Sequence, residues 1–170
     1  GTARIGAAGE GFMAHASDRY VAVVDSEGVT IYSIDNNGNK TEVYNLVKLM
    51  NEELQKRADV WVGGKVLSVV QARKSGSVPK GTTPMTKLPE GVSMLDTGNN
   101  GAVVSLIENG SHRYLMLVNH SISSVFTYKI KFSVSGVKRI ESDGELVSLE
   151  DDKLHSYVLG KGDCAIFRLK

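Results

Sequence analysis

The sequence predicts a mainly β protein, an antiparallel β-sandwich with one N-terminal amphipathic helix. From residue 60 onward, short apolar or alternating runs are bounded by turn residues at roughly 8–12-residue intervals, the spacing of strands in a sandwich. The 18 glycines among 170 residues indicate many turns. Only one segment has the period of a helix face, so we expect a single helix.

The N-terminal part is predicted to contain a β-hairpin. Residues 1–11 are small and glycine-rich, and we expect them to be poorly anchored. Two β-rich runs, residues 19–24 and 29–34, flank the turn segment Asp25-Ser26-Glu27-Gly28. These runs should therefore pair.

The helix is predicted over residues 42–57. Apolar residues recur there at intervals of three and four, namely Val43, Leu46, Val47, Met50 and Leu54. Thr41 is the predicted N-cap, with its hydroxyl accepting a backbone N–H, and Glu42 suits the positive end of the helix dipole. Lys56 and Arg57 suit the negative end.

The strand candidates that follow are residues 60–62, 66–72, 92–95, 102–108, 113–119, 125–133, 137–141, 145–148, 155–158 and 164–169. Asn109-Gly110 predicts a tight hairpin between two of them. The nearly continuous apolar run 113–118 indicates a strand covered on both faces. The run 126–132 alternates, which places Thr127, Lys129 and Lys131 in solvent.

Residues 73–91 form a long predicted loop that contains all three prolines of the chain. A loop of this length in a compact domain is typically either functional or packed against a neighbouring domain.

Composition and motifs exclude several classes of function. Lys and Arg total 20 against 19 Asp and Glu, so no basic face for nucleic acid is indicated. No apolar run approaches the ~20 residues of a membrane span, so we expect no membrane insertion. No phosphate-loop, nucleophile-elbow or metal-ligand spacing occurs, and the four histidines are isolated. We expect no cofactor and no metal.

No acidic residue lies in a recognisable catalytic context, although glycoside hydrolysis needs a carboxylate pair. We therefore expect no catalytic residue and no activity from this chain alone. The single cysteine, Cys164, excludes an intramolecular disulfide and lies in an apolar run, where a buried, inert thiol is expected.

Three aromatic residues are candidates for contact with a sugar or with a neighbouring domain. Trp61 follows the helix, Tyr44 lies within it, and Tyr32 lies in the predicted hairpin. Aromatic rings can stack on sugar faces, but packing between helix and sheet is the simpler role for Trp61, and packing in the core or between domains is the simpler role for the two tyrosines.

Several short motifs occur in an order that resembles the distal end of bacterial glycoside hydrolases. Residues 37–44 (NGNKTEVY) followed by 49–54 (LMNEEL) look like the last helix of a catalytic barrel. Residues 60–70 and the loop around 79–82 (PKGT) look like a linker strand and the first loop of a sandwich. The run 113–119 (RYLMLVN) resembles a sandwich strand that ends in asparagine. Residues 162–169 (GDCAIFRL) resemble the closing strand, usually introduced by Pro-Gly-Asp but here preceded by Lys161.

The family concerned is that of Bacteroides-type glycoside hydrolases, in which a (β/α)₈ barrel is followed by a C-terminal β-sandwich. The resemblance implies that residues 1–58, with a β-hairpin and a helix, correspond to the end of a barrel, and that residues 59–170 form the sandwich domain. It also implies a non-catalytic, supporting role and a periplasmic or extracellular location. The expected partner is the catalytic domain of the parent enzyme.

Two other functions remain open on the sequence. One is a carbohydrate-binding module that uses Trp61 or the loop 73–91 to bind an oligo- or polysaccharide. The other is a structural protein-interaction domain that docks a partner on the apolar stripe of its helix.

Overall fold

The computed structural model describes residues 2–7, 10–17, 20–24, 30–35, 37–73, 78–98, 101–121 and 123–169, and for residues 2–32 it describes the strands and their pairing only. The elements are β1 (Thr2–Ala7), β2 (Glu10–Ser17), β3 (Tyr20–Val24), β4 (Thr30–Tyr32), α1 (Glu42–Lys56), α2 (Ala58–Trp61), β5 (Lys65–Ala72), β6 (Val92–Asp96), β7 (Ala102–Asn109), β8 (His112–Asn119), β9 (Phe126–Phe132), β10 (Lys138–Ile140), β11 (Leu146–Ser148), β12 (Leu154–Leu159) and β13 (Cys164–Arg168).

The N-terminal strands form one antiparallel sheet in the order β1-β2-β3-β4. The predicted pairing of β3 with β4 is confirmed, while the predicted turn between them, residues 25–28, lies outside the described residues. The expectation of poor anchoring in residues 1–11 is wrong for those that the structure describes, because β1 pairs with β2 from Thr2↔His15 to Ala7↔Glu10. Small residues have low strand propensity, but a neighbouring strand overrides it.

A short turn leads from β4 into α1. The Asp35 carboxylate accepts the backbone N–H groups of Asn37 at 2.9 Å and Asn39 at 2.8 Å, and these bonds lower its pKa. The predicted helix is confirmed, with Thr41 at the N-cap in an extended conformation. Its side chain does not form the predicted capping hydrogen bond.

The predicted strand at residues 60–62 is wrong. Arg57 ends α1, and the chain turns at once into the one-turn helix α2, closed by a 2.8 Å bond from Val62 N–H to the Ala58 carbonyl. A three-residue apolar run cannot be assigned to strand or helix by its period. Here the turn places Val60, which is 1% exposed, on the sheet.

The remaining strands form the two antiparallel sheets of the sandwich, in the orders β11-β10-β13-β8-β7-β5 and β12-β9-β6. Fold class and the other strand predictions are confirmed. The core between the sheets is built from side chains of both, the largest of the fully buried ones being Tyr128, Phe167, Leu115, Leu117 and Ile130.

Strand β8 is covered on both faces, as its apolar run predicts. Leu115 and Leu117 lie in the core between the sheets, whereas Tyr114 and Met116 face α2 on the outer side. Strand β9 alternates as predicted, with Thr127 and Lys129 exposed and Lys131 half-buried.

The β7–β8 hairpin is confirmed, but its turn consists of Gly110 and Ser111, since Asn109 pairs with His112. Gly110 supplies the positive φ of +58°. Asn109 Nδ2 donates to the carbonyls of Asp59 and Val62, both at 2.8 Å, and so anchors α2 to the hairpin.

The predicted long loop is described from residue 78 onward and partly returns to the sheet. Gln71 N–H donates to the Thr83 carbonyl at 2.7 Å, and Met85 N–H donates to the Gln71 carbonyl at 2.8 Å. These bonds cover one end of the edge strand β5, a common protection for such edges.

A glycine in the β10–β11 turn allows the close approach of α1. A Cβ at Gly144 would lie 2.5 Å from the Lys56 carbonyl oxygen, and the residue has φ +86°. Gly136 has a similar φ of +72°, but a Cβ there would meet no described atom within 4 Å.

We expect Gly136→Ala to lower the free energy of unfolding by about 1 kcal/mol through backbone strain. Gly144→Ala should lower it by about 1–3 kcal/mol more, because the helix end must also move. Urea denaturation of the two variants measures the difference; equal losses would show that the contact with Lys56 does not matter.

Candidate functional site

The apolar side of α1 is only partly covered, with Val43 and Val47 half-buried and leucines of the helix exposed. No residue of α1 is buried, although its sequence is amphipathic. Leu46, Leu49 and Leu54, here called the α1 stripe, are 56%, 62% and 46% exposed. An apolar helix face is normally packed against a core. The α1 stripe thus offers three large aliphatic side chains to a partner.

The C-terminal end of α1 is fixed on the sandwich by Arg57, which is 8% exposed. Its Nε donates to the Glu141 carbonyl at 2.9 Å, and its Nη1 donates to Glu53 Oε1 at 2.6 Å. The same Nη1 lies 3.7 Å from Cys164 Sγ. One side chain therefore joins the helix end, the β10–β11 turn and β13.

Trp61 lies on α2 and packs against the outer face of the six-stranded sheet. It contacts the cluster of Val60, Ile107, Tyr114, Ile140 and Ile166. Its indole Nε1 is buried and has no hydrogen-bond partner among the described residues. The half-buried ring is therefore chiefly a packing group that holds α2 on the sheet.

A groove of about 340 Å³ lies beside this packing. It is lined by Met50 and Leu54 of α1, by Trp61 of α2 and by residues 160–164. Because Leu54 belongs to both, the groove continues the α1 stripe toward the sandwich.

The other two predicted contact residues lie elsewhere. Tyr44 is half-buried on α1, and Lys40 Nζ lies 4.4 Å from the centre of its ring, so one ring face is already in contact with a cation. Tyr32 pairs with Ala22 in the N-terminal sheet, and its side chain is outside the described part of the chain. The structure does not place these rings with Trp61 in one site.

Cys164 is partly buried beside Arg57, consistent with the predicted buried thiol. Burial raises its pKa, and this effect outweighs the opposing influence of the Arg57 charge. A thiol with a raised pKa is a poor nucleophile at neutral pH.

A second, larger cavity of about 750 Å³ opens at the β7–β8 turn. Arg113 forms ion pairs there with Glu90 and, at 3.5 Å, with Glu108. The cavity, here called the Arg113 cleft, shares no residue with the groove beside Trp61.

No family model, curated protein or solved structure matches the chain. Function must therefore be argued from these surfaces. In the described part of the chain, no group of three or more His, Cys, Asp or Glu side chains could hold a metal ion, and neither helix is long and apolar enough to cross a bilayer.

Sequence reasoning missed the roles of Arg57 and Arg113. It treated Arg57 only as a favourable charge at a helix end and gave Arg113 no role. Glu141 lies 84 residues from Arg57, and Glu90 lies 23 residues from Arg113, so no local pattern could reveal these two contacts. The pair of Arg57 with Glu53 and the cross-strand ion pair of Arg113 in its hairpin follow local spacings that could have indicated them.

We expect Arg57→Met to lower the free energy of unfolding by about 2–3 kcal/mol, since it removes a charge-assisted hydrogen bond and leaves the Glu141 carbonyl without its donor. The control Lys56→Met alters an exposed neighbour and should change stability by less than about 0.5 kcal/mol. Chemical denaturation measures the free energy of unfolding of both variants. Equal losses in the two would show that Arg57 does not hold the end of α1 on the sandwich.

We expect stability to fall as the pH rises above 9.0, the ordinary pKa of a cysteine thiol. The unfolded thiol then ionises while the folded thiol, whose pKa is raised, stays protonated, so the unfolded state binds fewer protons. Burial also raises the pKa of Tyr114, Tyr128 and Tyr157 from 10.0, which extends the loss to higher pH.

Denaturation curves across this range measure the effect. Cys164→Ala should remove the part of the loss that begins near pH 9 and leave the tyrosine part. An unchanged profile in this variant would contradict the assignment.

Proposed function

We propose that the chain is a non-catalytic accessory module of a glycoside hydrolase and packs against a carbohydrate-active catalytic domain through α1. The observation that carries this proposal is the α1 stripe, three large aliphatic side chains of one helix that are each about half exposed or more. The order of the family-like motifs supports the identity of the partner, because it aligns α1 with the last helix of a catalytic barrel.

The attachment of α1 to the sandwich supports the same role. Arg57 bonds the helix end to the β10–β11 turn, and Gly144 lets the turn approach the Lys56 carbonyl. A partner bound to the α1 stripe is thus connected to the sandwich through a short, hydrogen-bonded junction. Such a junction loses little conformational entropy on binding.

The catalytic domain that we propose lies upstream of α1 in the parent enzyme. In this proposal residues 1–58 belong with that domain and residues 59–170 with the sandwich, and the parent is periplasmic or extracellular. No activity is assigned to the chain alone.

A carbohydrate-binding module that stacks sugars on aromatic rings is less well supported. Its rings must face solvent. The aromatic side chains of the described part are each buried or half-buried: Tyr44, Trp61, Tyr114, Phe126, Tyr128, Phe132, Tyr157 and Phe167. Trp61, the leading candidate for that role, packs on the sheet.

To test the proposal, the reading frame is followed upstream of the region that encodes this chain, and the domain encoded there is expressed separately. We expect a barrel domain that binds this chain in calorimetry. The double variant Leu46→Glu/Leu49→Glu should weaken binding at least about 100-fold, because two leucines that become buried in the complex contribute roughly 3 kcal/mol or more to the binding free energy. It should leave the free chain folded, since both side chains are exposed.

The control Asn51→Glu/Gln55→Glu places the same charge on exposed positions of α1 away from the stripe. It should bind like the unaltered chain. Equal binding by both double variants would contradict the proposal. So would hydrolysis of aryl glycosides by the isolated chain, if replacing one of its own acidic residues abolished that activity.

A further inference from the structure

The Arg113 cleft is a cavity with walls fixed by backbone hydrogen bonds. Ser133 N–H donates to the Gly91 carbonyl at 2.9 Å, and Leu169 N–H donates to the Arg113 carbonyl at 2.8 Å. Its volume of about 750 Å³ lies within the usual range of small-molecule sites. A ligand would therefore find a largely formed cavity.

Glycine at position 91 allows the backbone to approach two aliphatic side chains that line the cleft. A Cβ there would lie 3.3 Å from side-chain carbons of both Leu169 and Val134. The two aliphatic side chains add apolar surface to the lining of the cleft.

The cleft is lined by hydrogen-bond donors and acceptors, some of which form ion pairs. Arg113 Nη1 bonds Glu90 Oε1, and Arg113 Nε lies 3.5 Å from Glu108 Oε2. A guanidinium has five N–H donors and each carboxylate has several acceptor sites, so this ion-pair network retains hydrogen-bonding capacity. Ser111, Ser133 and Ser135 add hydroxyls that can both donate and accept.

The charges of the cleft select against ions. Two carboxylates against one guanidinium repel an anionic ligand. A bare metal ion is disfavoured because Arg113 already bridges the carboxylates and no cluster of three metal-binding side chains occurs in the described chain. A neutral molecule with many hydroxyls satisfies both the donors and the acceptors.

We propose that the Arg113 cleft binds a saccharide, with the Glu90 and Glu108 carboxylates accepting hydrogen bonds from sugar hydroxyls and Arg113 donating to sugar oxygens. Charge-assisted hydrogen bonds of this kind are stronger than neutral ones. Recognition here uses polar groups rather than stacked rings. The proposal does not rest on docking through α1, whose stripe contributes no residue to the cleft.

The experiment is a nitrogen-15 NMR titration of the full chain with a defined panel: glucose, galactose, mannose, xylose, N-acetylglucosamine, maltotriose, cellotriose and xylotriose. We expect at least one sugar to give saturable shifts, in the millimolar range, that are confined to amides of the cleft such as Gly91, Gly110 and Ser135. Glu90→Gln and Arg113→Lys should each weaken that sugar about tenfold or more.

Glu145→Gln, an exposed acidic residue outside the cleft, is the matched control and should bind normally. Leu46→Glu/Leu49→Glu should also bind normally, which separates this proposal from the docking role. Thermal unfolding confirms that each variant is folded. No cleft-confined shift with any sugar of the panel, or undiminished binding by both cleft variants, overturns the proposal.

Discussion

The central strands of the six-stranded sheet must be covered on both faces, and the rest of the sandwich is arranged around this constraint. Its central strands β8 and β13 carry apolar side chains on each side, Leu115 and Phe167 toward the second sheet, Tyr114 and Ile166 outward. Burying a large apolar side chain contributes about 1.5–3 kcal/mol. The three-stranded sheet covers one face, and α2 with Val60 and Trp61 covers the centre of the other.

This constraint explains why two adjacent helices differ. The one-turn helix α2 is pressed onto the sheet and held by Asn109, while α1 leaves it at Arg57 and keeps its leucines exposed. The apolar face of an amphipathic helix normally packs against other apolar side chains, and α1 has no residue that is buried in this way. The docking role proposed for the chain supplies the missing cover.

The two candidate surfaces differ in chemistry and therefore in the partners that they suit. The α1 stripe is aliphatic and suits another protein domain, because large apolar patches are typical of protein interfaces. The Arg113 cleft is concave and lined by charged, hydroxyl and aliphatic side chains, and it suits a small hydroxyl-rich ligand. Its acidic residue Glu90 lies at the end of the long loop. The sequence predicted that this loop is either functional or packed against a neighbouring domain.

The sequence by itself determined the fold class, the bounds of α1 and the later strands, because alternation, helical period and glycine turns are local patterns. It did not determine the pairing of residues 2–7 or the helical turn at residues 58–61, where a neighbouring strand or the sheet surface overrides weak local preference. The tertiary structure alone decided the sites. Arg57 meets Glu141 and Arg113 meets Glu90 only when distant segments pack, and burial of a side chain depends on what the folded chain places over it.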